Sequence, residues 1–376
     1  MFRLRFLLAL ISVFLLSACR ENAAQDSVQK GSLPLLYARN FSIDSLPGGS
    51  LGVTVKVFMG SGVSEARYLL VHEGDSPAEG FEDAVKIAVP VRRIIALSGG
   101  HYAFFKKLGK EAVVVALGDK ANIADSALYQ RMAAGEVQEV GDGPQFSEEK
   151  AYALAPDLVL GFATGGAFDA DFSKLREARI PVLLASEWQE ASALARAEWL
   201  KLFGALAGVN ADSVFAEIEG EYLAFRDSVR SDSCVRVFAG TPSAGFWFAP
   251  GDESYTASLL KDVGACLVFK PDRARERRLP VEEAFAEALS AKVWVNPGFS
   301  DPAALLAAEP RVEKLPAFSE KRVFQFDNLK GPEGALAFYE SAMLDPAGLL
   351  RDLYRVVNGS SGADSSLTWY RNIFYN

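Results

Sequence analysis

Arg93-Ile-Ile-Ala-Leu97, followed by Ser98-Gly99-Gly100-His101 and then by Tyr102 to Leu108, is the stretch on which the fold turns. The first five residues are a short apolar strand with no alternation, the next four a tight turn, and the last seven carry a helical pattern. A strand without a polar face is buried on both sides, as in a parallel sheet covered by helices. The unit then recurs. Val113-Val-Val-Ala-Leu117, Leu158-Val-Leu160 and Val182-Leu-Leu-Ala185 are similar runs, separated by helix-sized segments with turn signals. Apolar strands alternating with helices predict an α/β architecture around a parallel sheet.

Upstream of this unit, Leu35-Leu36-Tyr37-Ala38, Phe41-Ser42-Ile43, Val53 to Phe58 and Tyr68 to Val71 read as strands of an antiparallel meander, with a turn at Pro47-Gly48-Gly49. Residues 34–187 are thus expected to form one lobe. Residues 188–231 carry no strand signal: Ala191 to Leu206 reads as one helix stopped near Gly208, and Asn210 and Asp212 can cap a second. In that second helix Val214, Phe215, Ile218, Tyr222, Phe225 and Val229 keep helical spacing. It is either a stiff rod joining two sheets or an ordinary surface helix, and periodicity alone does not separate the two. Residues 232–376 repeat the first scheme, with strands at Val235 to Ala239, Cys266 to Phe269, Val293 to Asn296 and Val323 to Phe326. Helices are expected at Ser254 to Val263, Val281 to Leu289, Ala303 to Ala308 and Ala335 to Val357. The aromatic tail from Trp369 to Tyr375 should pack on a lobe.

The N-terminus has a different character. Arg3 and Arg5 precede an apolar run of eleven residues, Phe6 to Leu16, and Leu16-Ser17-Ala18-Cys19 resembles a bacterial lipobox. The run is shorter than the ~20 residues a membrane span needs, so residues 1–19 read as an export signal, cleaved so that the mature chain begins at a lipid-bearing Cys19. Residues 20–33, polar and flanking, would be the tether. Loss of Arg3 and Arg5 takes the formal charge from −9 to −11, which disfavours nucleic acid as a partner. The one basic run, Arg273 to Arg278, reads as a solvated loop. A mature chain of about 355 residues is larger than one hydrophobic core sustains, so two lobes are the default.

Cys234 and Cys266 open two apolar strands that could be neighbours in one sheet, and an exported protein meets an oxidising compartment. They can pair, or stand as two buried thiols. His72 and His101 are the only histidines, and no Cys/His cluster exists, which counts against a zinc centre and predicts no resident metal.

Several segments together resemble cluster A (class III) substrate-binding proteins of ABC importers. Pro90-Val-Arg-Arg-Ile-Ile-Ala-Leu-Ser98 is similar to the first sheet strand of that family, and Glu149-Lys-Ala-Tyr-Ala-Leu-Ala-Pro-Asp-Leu-Val159 to its E-x-(I/L)-x-x-L-x-P-D-L-V element. Arg196 to Gly204, Phe246 to Gly251, Ser254 to Leu260 and Glu282 to Asn296 resemble further stretches of the branch serving iron complexes. The resemblance runs from about residue 34 to the C-terminus. It implies two Rossmann-like lobes bridged by one long helix, and capture of an iron–siderophore or haem, with cobalamin as the alternative. The chelate would be cargo, with no cofactor of the protein's own. The implied partners are a permease dimer with its ATPase and the membrane, through the lipid. The implied location is the periplasm or cell envelope, as a monomer.

Ligands of open parallel sheets collect beyond the carboxyl ends of the strands. The turns there supply Ser98, His101, Tyr102, Phe162, Trp247, Tyr255, Asn296 and Lys330 as candidate ligand contacts, with Phe248 ranked below Trp247 and Lys120 beside Lys330 as a second cation. Aromatic rings would bury a flat chelate or macrocycle. His101 would either touch the ligand or stabilise its turn. Few cations lie in these turns, which argues against a highly anionic chelate. Glu149 and Glu282 are the residues that the resemblance assigns to permease docking, one per lobe, with Glu148 and Glu283 as neighbours able to substitute. A tethered hydrolase is the competing class. The chain has no G-x-S-x-G and no H-E-x-x-H, and two histidines leave little choice of base. A ligand-free adhesin is a third, disfavoured by parallel α/β lobes.

Overall fold

Uninterrupted apolar strands require cover on both faces, and the computed structural model arranges them accordingly. It describes residues 34–375 apart from 60–61, 73, 76–79, 163–169, 232–233 and 360–365. The leader, Cys19 and the tether lie outside the described residues. In the first lobe Ile94–Ala96 is the central strand, flanked by Val114–Leu117 and Leu158–Gly161, with Gln138–Glu139 and Val182–Leu184 at the edges, all pairs parallel. In the second lobe Ala265–Leu267, Val235–Ala239, Val293–Val295 and Val323–Gln325 run parallel in that order. Arg371–Asn372, from the aromatic tail, closes the edge antiparallel. The Asp352 carboxylate holds this tail by accepting the backbone N–H groups of Thr368, Trp369 and Tyr370.

The rod reading of the second connecting helix is the one the packing supports. Asp212–Ser228 is one helix of 17 residues, roughly 26 Å long at 1.5 Å per residue. Phe215 and Ile218 belong to the first lobe's core, whereas Tyr222 belongs to the second's. One helix is therefore anchored in both cores.

Four expectations need correction. Leu35 to Ala38 is no strand: the backbone N–H groups of Leu36, Tyr37 and Ala38 donate instead to the buried Glu198 carboxylate, at 2.8–2.9 Å. The upstream sheet is also not purely antiparallel. Phe41–Ser45, Leu51–Met59 and Gly62–Val71 form the meander, and Val85–Ala88 adds a parallel fourth strand. The single helices expected at 191–206 and 335–357 are both broken. The first divides at Trp199, giving Ala193–Glu198 and Leu200–Ala207. The second gives Ala337–Ser341 and Pro346–Asn358, because Pro346 cannot donate within a helix and opens a new one. Finally, the basic run is a loop only as far as Arg275, although Arg273, Arg275, Glu276 and Arg278 are exposed as expected. Glu276–Pro280 pairs with Phe246–Pro250, which also pairs with Thr241–Ser243. Arg275, Arg277 and Arg278 lie over Phe58, Phe269 and Phe246, 3.5–5.9 Å from the ring centroids.

Two sets of contacts tie the lobes together. In one, the Arg275 guanidinium donates to the Gln189 carbonyl and lies over Phe58. In the other, residues 331–340 reach across to the first lobe. Gly331 sits where a Cβ would come within 2.5 Å of the Ala124 Cα, so only glycine permits that approach. The Glu340 carboxylate accepts the Ala124 N–H at 2.7 Å, and Glu333 accepts from the Tyr129 hydroxyl at 2.7 Å.

Cys234 and Cys266 are joined, with their Cα atoms 5.8 Å apart, across the pair Val235–Ala239 and Ala265–Leu267. Replacing both by serine is expected to lower unfolding free energy by about 3 kcal/mol, since the bridge closes a loop with a sequence separation of 32. Urea unfolding of the double variant beside the oxidised parent checks this; coincident curves would mean the bridge constrains the unfolded chain little.

Candidate functional site: a cleft between the lobes

The strand tips of both lobes converge on a cleft with two communicating chambers. The larger, about 670 Å³, takes Thr241, Phe248, Tyr255, Asn296, Phe326 and Tyr370 from the second lobe and Phe58 and Trp188 from the first. The smaller, about 290 Å³, lies against Ser98, His101, Phe162, Glu187 and Met343. Trp188, Arg196, Tyr255, Phe338 and Tyr339 line both. Volumes of this order suit a ligand of a few hundred cubic ångströms.

Local sequence explains the positions. Ser98 caps the helix Gly99–Lys107 by accepting the Gly100 N–H. Gly99 follows because a Cβ there would stand 2.8 Å from the Glu340 carboxylate. His101 consequently falls in the helix's first turn, fully buried beside the smaller chamber, its ring 6.0 Å from that of Phe203. Ser254 caps the helix Tyr255–Asp262 in the same way, by accepting the Ala257 N–H, and this sets Tyr255 at the chambers' junction.

The central cation is Arg196. Its Nε donates to the Glu190 carbonyl at 3.2 Å and its Cζ lies 3.6 Å from the Tyr255 ring centroid. Burial lowers its pKa from the usual value, while Tyr255, Glu187 and Glu190 act in the opposite sense. Burial raises the Tyr255 phenol, against the pull of Arg196. Burial likewise raises the Glu190 carboxyl, although the N–H groups of Asn40, Trp199 and Arg39 favour its charged form. The Asn296 backbone is left-handed (φ 59°), and its Oδ1 has no hydrogen-bond partner.

Of the residues chosen from sequence, Ser98, His101, Phe162, Tyr255 and Asn296 meet at this cleft. Three do not. Trp247 is fully buried in the second lobe's core, packed on Phe238 and Trp294, its indole N–H donating to the Ala239 carbonyl at 3.0 Å. Phe248, next along the strand, points the other way and lines the cleft, reversing the expected ranking. Tyr102 faces a separate hollow with Lys106, Asp125 and Leu344. Lys330 is paired with the Asp327 carboxylate at 2.9 Å and does not line the chambers. Lys120 pairs with Glu333 at 3.8 Å instead. The turn after Phe162 (163–168) lies outside the described residues. Among the described residues, no group of three or more His, Cys, Asp or Glu side chains is placed to hold a metal ion. None of their helices is long and apolar enough to cross a membrane.

Sequence reasoning missed Arg196, Glu187, Arg275, Phe338 and Tyr339. Arg196 opens the family-like stretch Arg196 to Gly204, and Arg275 lies in the basic run. Phe338 and Tyr339 were hidden in what reads as a continuous helix. Their one signal is the adjacent aromatic pair just ahead of Pro346.

The family model described as periplasmic binding protein matches residues 94–328, and the chain belongs to that family. An uncharacterized lipoprotein of Methanocaldococcus jannaschii is 23% identical over 332 residues, covering 82% of this chain and 80% of that protein. The iron(3+)-hydroxamate-binding protein FhuD of Bacillus subtilis is 24% identical over 242 residues, 64% of this chain and 65% of that one. Among solved structures, a periplasmic binding protein from Veillonella parvula is similar with a TM-score of 0.56 at 15% identity, covering 82% of this chain and 98% of that one. A periplasmic heme binding protein from Pseudomonas aeruginosa gives 0.53 at 18% identity, covering 76% and 100%. These likenesses bear out the two-lobed α/β fold.

Proposed function

We propose that this chain is the substrate-binding lipoprotein of an ABC importer, held at the cell envelope through Cys19, and that its cleft captures a weakly charged iron chelate of the ferric hydroxamate kind. The observation that carries this reading is the composition of the cleft. Trp188, Phe248, Tyr255, Phe326, Phe338 and Tyr339 offer ring surface to an organic shell. Arg196 and Arg275 are opposed there by Glu190, Glu253 and Glu276, so the site lacks the net positive charge that a polyanionic catecholate complex would call for. A neutral hydroxamate complex fits that balance, and the similarity to a protein named for iron(3+)-hydroxamate binding agrees with it. The same surface suits delivery without chemistry: the cleft buries and orients cargo, and release falls to the permease.

The test is titration of the protein lacking residues 1–19 with ferrichrome, haemin and cyanocobalamin, followed by intrinsic tryptophan fluorescence. Trp188, 40% exposed at the cleft, is the expected reporter. Saturable quenching by ferrichrome at micromolar concentration is the expected result. Preference for haemin or cyanocobalamin would reassign the cargo, and no response to any of the three would remove support for the importer reading.

A further inference from the structure

The two chambers of the cleft differ in chemistry. Glu190, Thr241, Glu253, Thr256, Arg275 and Glu276 line the larger, and none of them lines the smaller. In the smaller chamber the polar side chains are covered or already engaged. His101 and Glu187 flank it with side chains 0% and 4% exposed, and the Ser98 hydroxyl caps the helix Gly99–Lys107. Arg196 stands at the junction of the chambers, its guanidinium over the Tyr255 ring. The rest of the described wall is ring, methyl and thioether surface, from Phe162, Trp188, Phe338, Tyr339, Ala342 and Met343.

Two of those rings are left open to water. Trp188 is 40% exposed and Tyr339 is 65% exposed, and they come from different lobes. Open rings on the wall of one chamber mark a place where apolar surface is to be buried. The volume sets the size of what buries it. About 290 Å³ is room for roughly ten water-sized groups, which a whole trihydroxamate chelate exceeds and a benzoyl or hexanoyl arm fits. Trp188, Arg196, Tyr255, Phe338 and Tyr339 line both chambers, so an arm seated in the smaller is continuous with a chelate in the larger.

Resting on the ferric hydroxamate reading above, we infer that the cargo is amphipathic: its polar chelate occupies the larger chamber, and one apolar acyl or aryl arm enters the smaller, against Phe162, Trp188 and Tyr339. Arg196 marks the boundary between the two halves of the ligand.

The experiment uses ferrioxamine B, a linear ferric trihydroxamate with one free amine, acylated at that amine in two ways. The N-acetyl and N-benzoyl complexes carry the same iron core and the same charge and differ only in the arm. Each is titrated calorimetrically into the protein lacking residues 1–19, so that the readout does not depend on Trp188. The N-benzoyl complex is expected to bind about tenfold tighter, the gain from burying roughly 60 Å² of apolar surface. Phe162 lines the smaller chamber and not the larger, so Phe162→Ser should remove most of that preference. Should this variant not fold, Met343→Gln supplies the same reading from another part of the wall. Equal affinity of the wild type for the two complexes, or weaker binding of the N-benzoyl one, overturns the inference and leaves the hydroxamate reading intact. A preference undiminished in the folded variant also overturns it. Binding of neither complex overturns both.

Discussion

Changing Glu149 and Glu282 together to lysine is expected to reduce ligand uptake by cells to background, while the purified protein keeps its ligand affinity. The two carboxylates are largely exposed, 83% and 73%. Each stands in the first turn of a short helix, Glu148–Ala153 and Val281–Ala288. Their present partners are Lys174 at 3.2 Å and Arg311 at 2.7 Å. Exposed pairs of this kind contribute little to stability and exchange readily for other cations. Glu148 is a poorer candidate than its neighbour, because its carboxylate already accepts the Leu175 N–H at 3.0 Å. Tyr152, three residues after Glu149, and Leu289, seven after Glu282, are both large and exposed. Complementary charge on two lobes sets orientation and encounter rate more than affinity, so single reversals should slow uptake and the double reversal should stop it. Uptake assays beside equilibrium titration check this. Undiminished uptake by the double variant would move the docking surface elsewhere, and loss of affinity would mean the glutamates serve the cleft.

Trp247→Ala should act in the opposite sense, costing about 3–5 kcal/mol of stability, the range for a buried tryptophan, with ligand affinity preserved in the protein that remains folded. The ring stacks on Phe238 at 4.6 Å and contacts Trp294 at 5.2 Å and Phe285 at 5.9 Å. Its removal leaves both a cavity and an unpaired Ala239 carbonyl. Denaturant unfolding with a parallel ligand titration separates the two effects. A variant of normal stability that no longer binds would return Trp247 to the cleft.

The error over Trp247 marks where sequence reading ended. Along Phe246–Pro250 the side chains alternate, so Trp247 and Phe248 must face opposite ways, and that much was legible. Which face looks inward was not, because it depends on Glu276–Pro280 pairing from the far side. The parallel strands were legible from their unbroken apolar runs. The long helix was legible as a helix from its spacing, but its anchoring in two cores was not, because periodicity does not say which core each side chain enters. Breaks inside helices were harder: Pro346 announced one, but the break at Trp199 has no composition signal. Its indole is drawn toward Glu190, nine residues earlier in sequence. Buried charge was the least legible. Arg196, Glu187 and Glu198 look like surface residues in a string of letters, and only tertiary placement tells that Glu198 anchors three backbone amides. The core face of a strand follows from local chemistry; a polar group's partner does not.

The ties at 331–340 and at Arg275 bear on how cargo leaves. The rod Asp212–Ser228 spans both cores, and any widening of the gap between the lobes breaks the Glu340–Ala124 and Arg275–Gln189 hydrogen bonds. A membrane complex that pulls the halves apart does not need to compete for the cargo; by parting the margins it sets the moment of unloading.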